Sequence, residues 1–406
     1  MADLTPVQLQ LLAALKAFSP LSDAPCADLG LSCAQYEALF ELCGKNKLVA
    51  VCYSSVKELR SFAQLDSAFK ERWRAAAVAL AAAQVNRERA LLSACERLDA
   101  QGVRYLVVKG VVCRRMYADP YLRESADEDF FIPATDLPRC ADALKSLGFA
   151  RAEEVGGVVT LRHAASGLKL ELHSGYPLEL DSWSNAQSVE RFSCQGGSAA
   201  TPHPTHHWAF LVMHALKHFT YSGFGARTLM DIAVFAFTYR SHIDYAEAQR
   251  ILERAGALTF CKSVLAIARD HLGFDAASAH MPRSFTDDCP DITPMLLDIL
   301  DAGVYGQSSL SRVHSASMVR SAAERGSRTA NAAAALFPPI AVMRDRYGYL
   351  RRLPWLLPWA WLCRIATYVT RGRTRGDSAR ESLRIAEARI RLLRLYDISE
   401  HAKGRG

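Results

Sequence analysis

The residues able to do chemistry cluster in Arg123-Glu124-Ser125-Ala126-Asp127-Glu128-Asp129-Phe130-Phe131-Ile132. Side chains alternate along a strand, so Asp127 and Asp129 fall on one face, about 6–7 Å apart at the backbone. Two carboxylates at that separation can share hard divalent cations, Mg²⁺ or Mn²⁺. A pair of such ions about 3.5–4 Å apart, held by carboxylates and substrate phosphates, serves in-line attack on phosphorus. Leu170-Glu171-Leu172-His173 repeats the pattern, with Glu171 and His173 on one face and the leucines on the other. If the two strands are neighbours, Glu171 completes an acidic triad. The competing reading is a solvated acidic edge, because Asp and Glu are poor strand formers. Against it, the acidic residues run directly into Phe-Phe-Ile, and buried acids are costly unless metal or cationic groups compensate them.

Other polar residues could serve the same chemistry. Lys109-Gly110 ends an apolar run at a strand-to-helix junction. Glycine there lets backbone approach a phosphate, the helix start favours an anion, and Lys109 adds a point charge. Most Lys-Gly pairs are simply turns. His214 and His218 lie one helical turn apart, with His207 two turns earlier, but no Glu follows His214 as zinc-protease motifs require. These histidines are expected to line or support a pocket and to bind no metal of their own. Arg227 and Asp231 have i, i+4 spacing and either pair on a helix or orient a nucleotide or acceptor. His173 either contacts phosphate or acceptor, or is a structural histidine.

The elements that must position these groups can be read from periodicity. Val7–Phe18, Cys33–Leu42 and Val56–Phe62 have helical spacing, and Glu71–Ala100 is a longer helix stopped by Gln101-Gly102. The period then changes. Val103–Val108 and Ala126–Ile132 read as strands, Val111–Tyr117 as a helical turn or two, and Asp136–Leu147 as a helix. Val158–Arg162 and Leu168–His173 read as two strands joined by a turn. Gln187–His203 looks irregular, and from His206 onward the pattern is helical. The expected fold class is α+β: a small mixed-sheet core over residues 71–200, flanked by an N-terminal helical region (1–70), a helical domain packing on the core (201–335) and a basic C-terminal helical segment (336–406).

Half of the residues are hydrophobic and 22% are charged, a globular balance that argues against disorder. The eleven cysteines form no C-x-x-C pair. The start has no basic stretch leading into an apolar one, so free thiols in the cytoplasm are the simplest expectation. The net charge is +7, with much of the excess Arg after Arg344, in Arg351-Arg352 and Arg371–Arg375. Such a tail could meet an acidic partner or, with Trp355, Trp359 and Trp361 beside it, the surface of a membrane. The tryptophans plugging a groove on the protein's own surface is the favoured alternative. The apolar run Leu353–Cys363 is too short to span a bilayer and is broken by two prolines. No specific nucleic acid is expected.

Several segments together resemble a family of uncharacterised bacterial nucleotidyltransferases within the DNA polymerase beta nucleotidyltransferase superfamily. They are Val107–Gly110, Met116–Pro120, Arg123, Asp127-x-Asp129, Leu144–Phe149 and Glu171–His173, with Met213–His218, Arg227–Asp231, Leu336–Pro338 and Arg346–Trp361 later. The resemblance implies transfer of a nucleoside monophosphate, AMP in the first instance, from an NTP to a hydroxyl of an unknown small molecule, peptide or protein. It requires Mg²⁺ or Mn²⁺. Asp127 and Asp129 would bind metal, and Glu171 would complete the site and help deprotonate the acceptor. Lys109, Gly110, Arg123 and His173 are the expected nucleotide-binding residues; His214, His218, Arg227 and Asp231 are candidates for the pocket. Two departures stand out: Lys-Gly replaces the superfamily's Gly-Ser, and Glu128 replaces an apolar residue, with Arg104 or Arg123 as its expected partner. They leave an alternative, a catalytically inactive nucleotide-binding sensor or scaffold of the same fold.

Overall fold

The computed structural model describes residues 4–125, 127–155, 157–174, 189–194, 197–221 and 223–302, with short stretches between 340 and 398. Leu336–Pro338, Arg344, Arg346, Arg352 and the basic run Arg371–Arg375 lie outside the described residues.

Local signals set the helix starts. α1 (Pro6–Phe18) and α2 (Cys33–Asn46) each open on a capping box, Thr5 with Gln8 and Ser32 with Gln35. Val56–Phe62 is not one helix: α3 (Val49–Val56) ends where that stretch begins, and α4 (Arg60–Ala63) follows as a separate turn. Next comes α5 (Ser67–Ala100), 34 residues capped by Asp66. The indole of Trp73 on α5 donates to the Val49 carbonyl at 3.0 Å, and Phe40, Tyr53, Phe62 and Phe69 pack around it.

The core follows as β1 (Leu106–Val108), α6 (Gly110–Arg114), β2 (Asp127–Ile132), α7 (Leu137–Lys145), β3 (Phe149–Val155), β4 (Val158–His163) and β5 (Lys169–Ser174). The strands form one sheet in the order β1-β2-β5-β4-β3. Only β2 and β5 are parallel; the other neighbours are antiparallel. The expected mixed α+β core is thus present, with one strand more than the periodicity indicated, β3 at the sheet edge. The stretch Gln187–His203, read as irregular, instead contains β6 (Val189–Cys194) and β7 (Gly197–Pro202), an antiparallel pair.

The helical part continues with α8 (Pro204–Tyr221), α9 (Ala226–Thr238), α10 (Tyr245–Arg254), α11 (Leu258–Leu272) and α12 (Thr293–Ala302). One continuous cluster of buried apolar side chains runs from Leu11 through the sheet to Leu300 and on to Ile398. Trp355 and Trp359 do not plug a groove: they are 68% and 60% exposed. Trp361 packs against a small cluster of Met343, Leu350 and Ala360. Among the described residues no helix is long and apolar enough to cross a membrane.

Candidate active site

The register of β2 against β5 places Asp129 opposite Glu171 and Asp127 opposite Lys169. Alternation then brings Asp127, Asp129 and Glu171 to one side of the sheet, as their spacing requires. His173 lies two residues beyond Glu171, and its Nε2 reaches Asp129 Oδ1 at 3.0 Å. One ligand atom from each of Asp129, Glu171 and His173 falls within 4.8 Å of the others. Two carboxylates and an imidazole at this spacing form a group able to hold a divalent metal ion. Asp127 lines the same cleft without joining this tight group.

Lys109 occupies the turn between β1 and α6 with φ 58° and ψ −118°, a conformation costly for any residue with a Cβ. Its neighbours hold it there. The Lys109 N–H donates to His207 Nε2 at 3.0 Å, and its carbonyl accepts from Cys113 N–H at 2.8 Å. His207 is fixed in turn by Thr201, whose hydroxyl donates to the Val107 carbonyl at 2.9 Å and faces His207 Nδ1 at 3.1 Å. This chain requires the neutral Nδ1–H tautomer, and burial with the nearby Lys109 charge pushes the imidazole down to about 3.

The side chain of Lys109 crosses to the acidic cluster, with Nζ 2.6 Å from Asp129 Oδ2 and 3.2 Å from His214 Nε2. Burial alone would raise the Asp129 carboxyl, but Lys109, His173 and His214 together hold it well below the usual carboxylate range. Glu171 goes the other way, raised by burial and by the charges of Asp129 and Asp127. Burial, reinforced by Lys109, keeps His214 neutral and pushes His218 down to about 4. Both line the cleft, and neither joins a metal-competent group among the described residues.

Glu128 points to the opposite face from its flanking aspartates, where it is buried and fully engaged. It accepts from Val111 N–H at 2.8 Å, Arg114 at 2.6 Å and Ser125 at 3.0 Å. Its partner is therefore neither Arg104, which pairs with Asp136, nor Arg123, which pairs with Asp231. Gly110 is required beside it, because a Cβ there would lie 1.8 Å from Glu128 Oε2.

The segment entering β2 is held from two sides. Arg123 makes a two-pronged contact with Asp231 on α9, and Tyr117 donates to the same carboxylate at 3.0 Å. Arg227 does not pair with Asp231 but donates to the Glu124 carbonyl. From α5, Gln84 and Arg87 donate to the Ser125 carbonyl at 2.7 and 3.0 Å.

The resulting cleft is lined by Lys109, Gly110, Arg123, Asp127, Asp129, His214, His218, Arg227 and Asp231. It thus gathers most of the expected site residues, although Arg123 and Asp231 are spent mainly on each other. Lys47, unmarked in the sequence, lies outside this lining but near enough to interact with the charges of Asp127, Glu124 and Arg227. It ends α2 in a left-handed conformation at φ 53°, and neighbouring Asn46 accepts from Ala226 N–H. Burial and Arg227 lower its ammonium, while Asp127 and Glu124 oppose them. Arg114 escaped notice too; its signal was an Arg pair closing the apolar run Val111–Cys113.

An α+β core presenting clustered carboxylates to a cationic cleft has the arrangement of a nucleotidyl-transferring enzyme. A family described as uncharacterised nucleotidyltransferases matches residues 32–273, and the chain belongs to that family. Among solved structures, an antigenic nucleotidyltransferase-like protein from Paracoccidioides brasiliensis aligns at 15% identity and a TM-score of 0.32, over 48% of this chain and 96% of that one. No curated protein matches the chain.

Proposed function

We propose that the protein transfers a nucleoside monophosphate from an NTP, ATP first among them, to a hydroxyl of a small-molecule, peptide or protein acceptor, releasing pyrophosphate. The observation that carries this reading is the alignment of Asp129 with Glu171 on parallel strands, with Asp127 on the same face. A divalent ion held by Asp129, Glu171 and His173, with Asp127 beside them, would supply charge neutralisation at the phosphates. The remaining work falls to the chain's own groups. Lys109 and Arg227, both lining the cleft, offset the charge of the triphosphate and of the departing pyrophosphate. Glu171, its carboxyl raised, takes the proton of the acceptor hydroxyl. The Arg123–Asp231–Tyr117 cluster holds the approach to β2 so that Asp127 and Asp129 keep their aim. Catalysis of this kind is mainly positioning and charge stabilisation.

The test is pyrophosphate release from each of the four NTPs, with Mg²⁺ or Mn²⁺ and a cell extract as acceptor source. Release is expected to vanish in the Asp127→Ala/Asp129→Ala protein; undiminished release would sink the reading. A second reading, a nucleotide-binding sensor or scaffold, draws on the turn between β1 and α6. The N–H groups of Lys109 and Val111, which could grip a phosphate, are engaged by His207 and Glu128. Tight NTP binding without pyrophosphate release would favour it.

The place of action in this proposal is the cytoplasm, with a peripheral membrane contact through Trp355 and Trp359, exposed close to Arg351. Co-sedimentation with anionic liposomes at low salt, lost in Trp355→Ala/Trp359→Ala, is the expected result. Failure of the unaltered protein to pellet would dispose of that contact.

A further inference from the structure

Asp129 is approached from both sides, by a different kind of group on each. On the β5 side stand Glu171 and His173, which with Asp129 form the metal-competent group. On the β1 side stands Lys109, directly after Val108, the residue aligned with Asp129. Each Asp129 oxygen has its own partner: Oδ1 faces His173 at 3.0 Å and Oδ2 faces Lys109 Nζ at 2.6 Å. Two ions about 3.5–4 Å apart can share one carboxylate, one ion on each oxygen. Asp129 is the residue placed to bridge, and its second oxygen is already paired with the ammonium of Lys109.

We propose that Lys109 is a built-in cation standing in the second ion's position, so that the cleft takes one divalent ion instead of two. The inference deepens the transfer reading and rests on its assignment of the acidic cluster.

The backbone argues that this lysine is installed there. A residue other than glycine at φ 58°, ψ −118° is strained and persists only where its surroundings over-determine it. Here three groups do so: His207 on the N–H, Cys113 on the carbonyl, and the Glu128 carboxylate packed against the next residue, Gly110. The strain directs one long side chain at one oxygen. His214 accepts a second N–H of the ammonium without adding a positive charge. The third N–H meets no protein acceptor among the described residues and is free for a phosphate oxygen.

The test is a Mn²⁺ titration of the full-length chain, read by electron paramagnetic resonance, without nucleotide and with α,β-methylene-ATP. The unaltered protein and Lys109→Arg are expected to bind one Mn²⁺ per chain. Lys109→Met and Lys109→Gly, which remove the charge, are expected to take up a second ion with the spectrum of a coupled pair. Lys109→Gly also relieves the backbone strain, so it guards against a fold lost in the Met variant, with thermal melting as the check. Two coupled ions in the unaltered protein, no Mn²⁺ at all, or one ion in both folded charge-removed variants would each overturn the proposal. One bound ion without pyrophosphate release would instead sink the transfer reading and leave this inference standing.

Discussion

Gly110 and Glu128 leave no room for a side chain between them: a Cβ on Gly110 would fall 1.8 Å from Glu128 Oε2. The carboxylate cannot retreat, because it holds Val111 N–H, Arg114 and Ser125. Gly110→Ala should therefore lower stability by about 1–3 kcal/mol, as overpacking does. Glu128→Ala should cost more, about 3–5 kcal/mol, since Arg114 stays buried with only Glu88 at 3.7 Å to balance it. The double variant should lose less than the sum, because the second change removes the clash made by the first. Urea unfolding of all four proteins checks this, and strict additivity would contradict the contact.

Asp231→Ala strips Arg123 of its two-pronged partner and Tyr117 of its acceptor. A loss of about 3–5 kcal/mol is expected from the uncompensated buried guanidinium. Asp231→Asn, which keeps the shape and one acceptor, should lose less. Equal losses in the two variants would show that the charge, which both remove, carries the interaction and that the retained shape and acceptor add little.

Glu171→Gln should separate stability from activity. The raised carboxyl of Glu171 reflects burial and the repulsion of Asp129 and Asp127, which the neutral amide removes. The melting temperature should rise. Pyrophosphate release should fall by more than about a hundredfold, because even outer partners of metal ligands cost 10–100-fold when lost. A variant both active and stabilised would move the proton-accepting role elsewhere.

The buried histidines predict sensitivity to acid. His207 is pushed down to about 3 and His218 to about 4, both below the ordinary value near 6.5. The unfolded chain therefore binds protons that the folded chain refuses. Their contribution is fully present above pH 6.5 and is lost as pH falls from there towards the folded values. Each should remove about 1.4 kcal/mol between pH 7.5 and 5.5. Chemical unfolding at the two pH values tests this, with His218→Gln expected to reduce the difference by one histidine's share. Asp129, held low, acts in the same direction, but only below about pH 4.

What could be read from the sequence was whatever repeats at short range. Asp127-x-Asp129 and Glu171-x-His173 each declare a shared face within three residues, and the apolar residues around them declare strands. That Glu171 aligns with Asp129 and not Asp127 depends on register, which the segments do not print separately. The partners of Arg123 and Glu128 were misread for a related reason. Arg123 lies 108 positions from Asp231, and nothing local distinguishes that acid from nearer ones. β7, Gly-Ser-Ala-Ala-Thr-Pro, has little strand propensity and is extended through its pairing with β6. β3 mixes Arg, Ala and Glu because this edge strand, unlike the buried β1 at the other edge, is exposed over residues 151–154.

The continuous apolar cluster from Leu11 to Ile398 has a practical consequence for anyone cutting the chain. Tyr36, Trp73, Leu172, Trp208 and Phe260 share one interior, so no cut between the sheet and its flanking helices avoids baring apolar surface. A fragment holding the sheet alone would precipitate, while the intact chain would melt in a single calorimetric transition. The cleft is in this sense indivisible from the helices around it: its chemistry can be altered residue by residue, but it cannot be transplanted as a module.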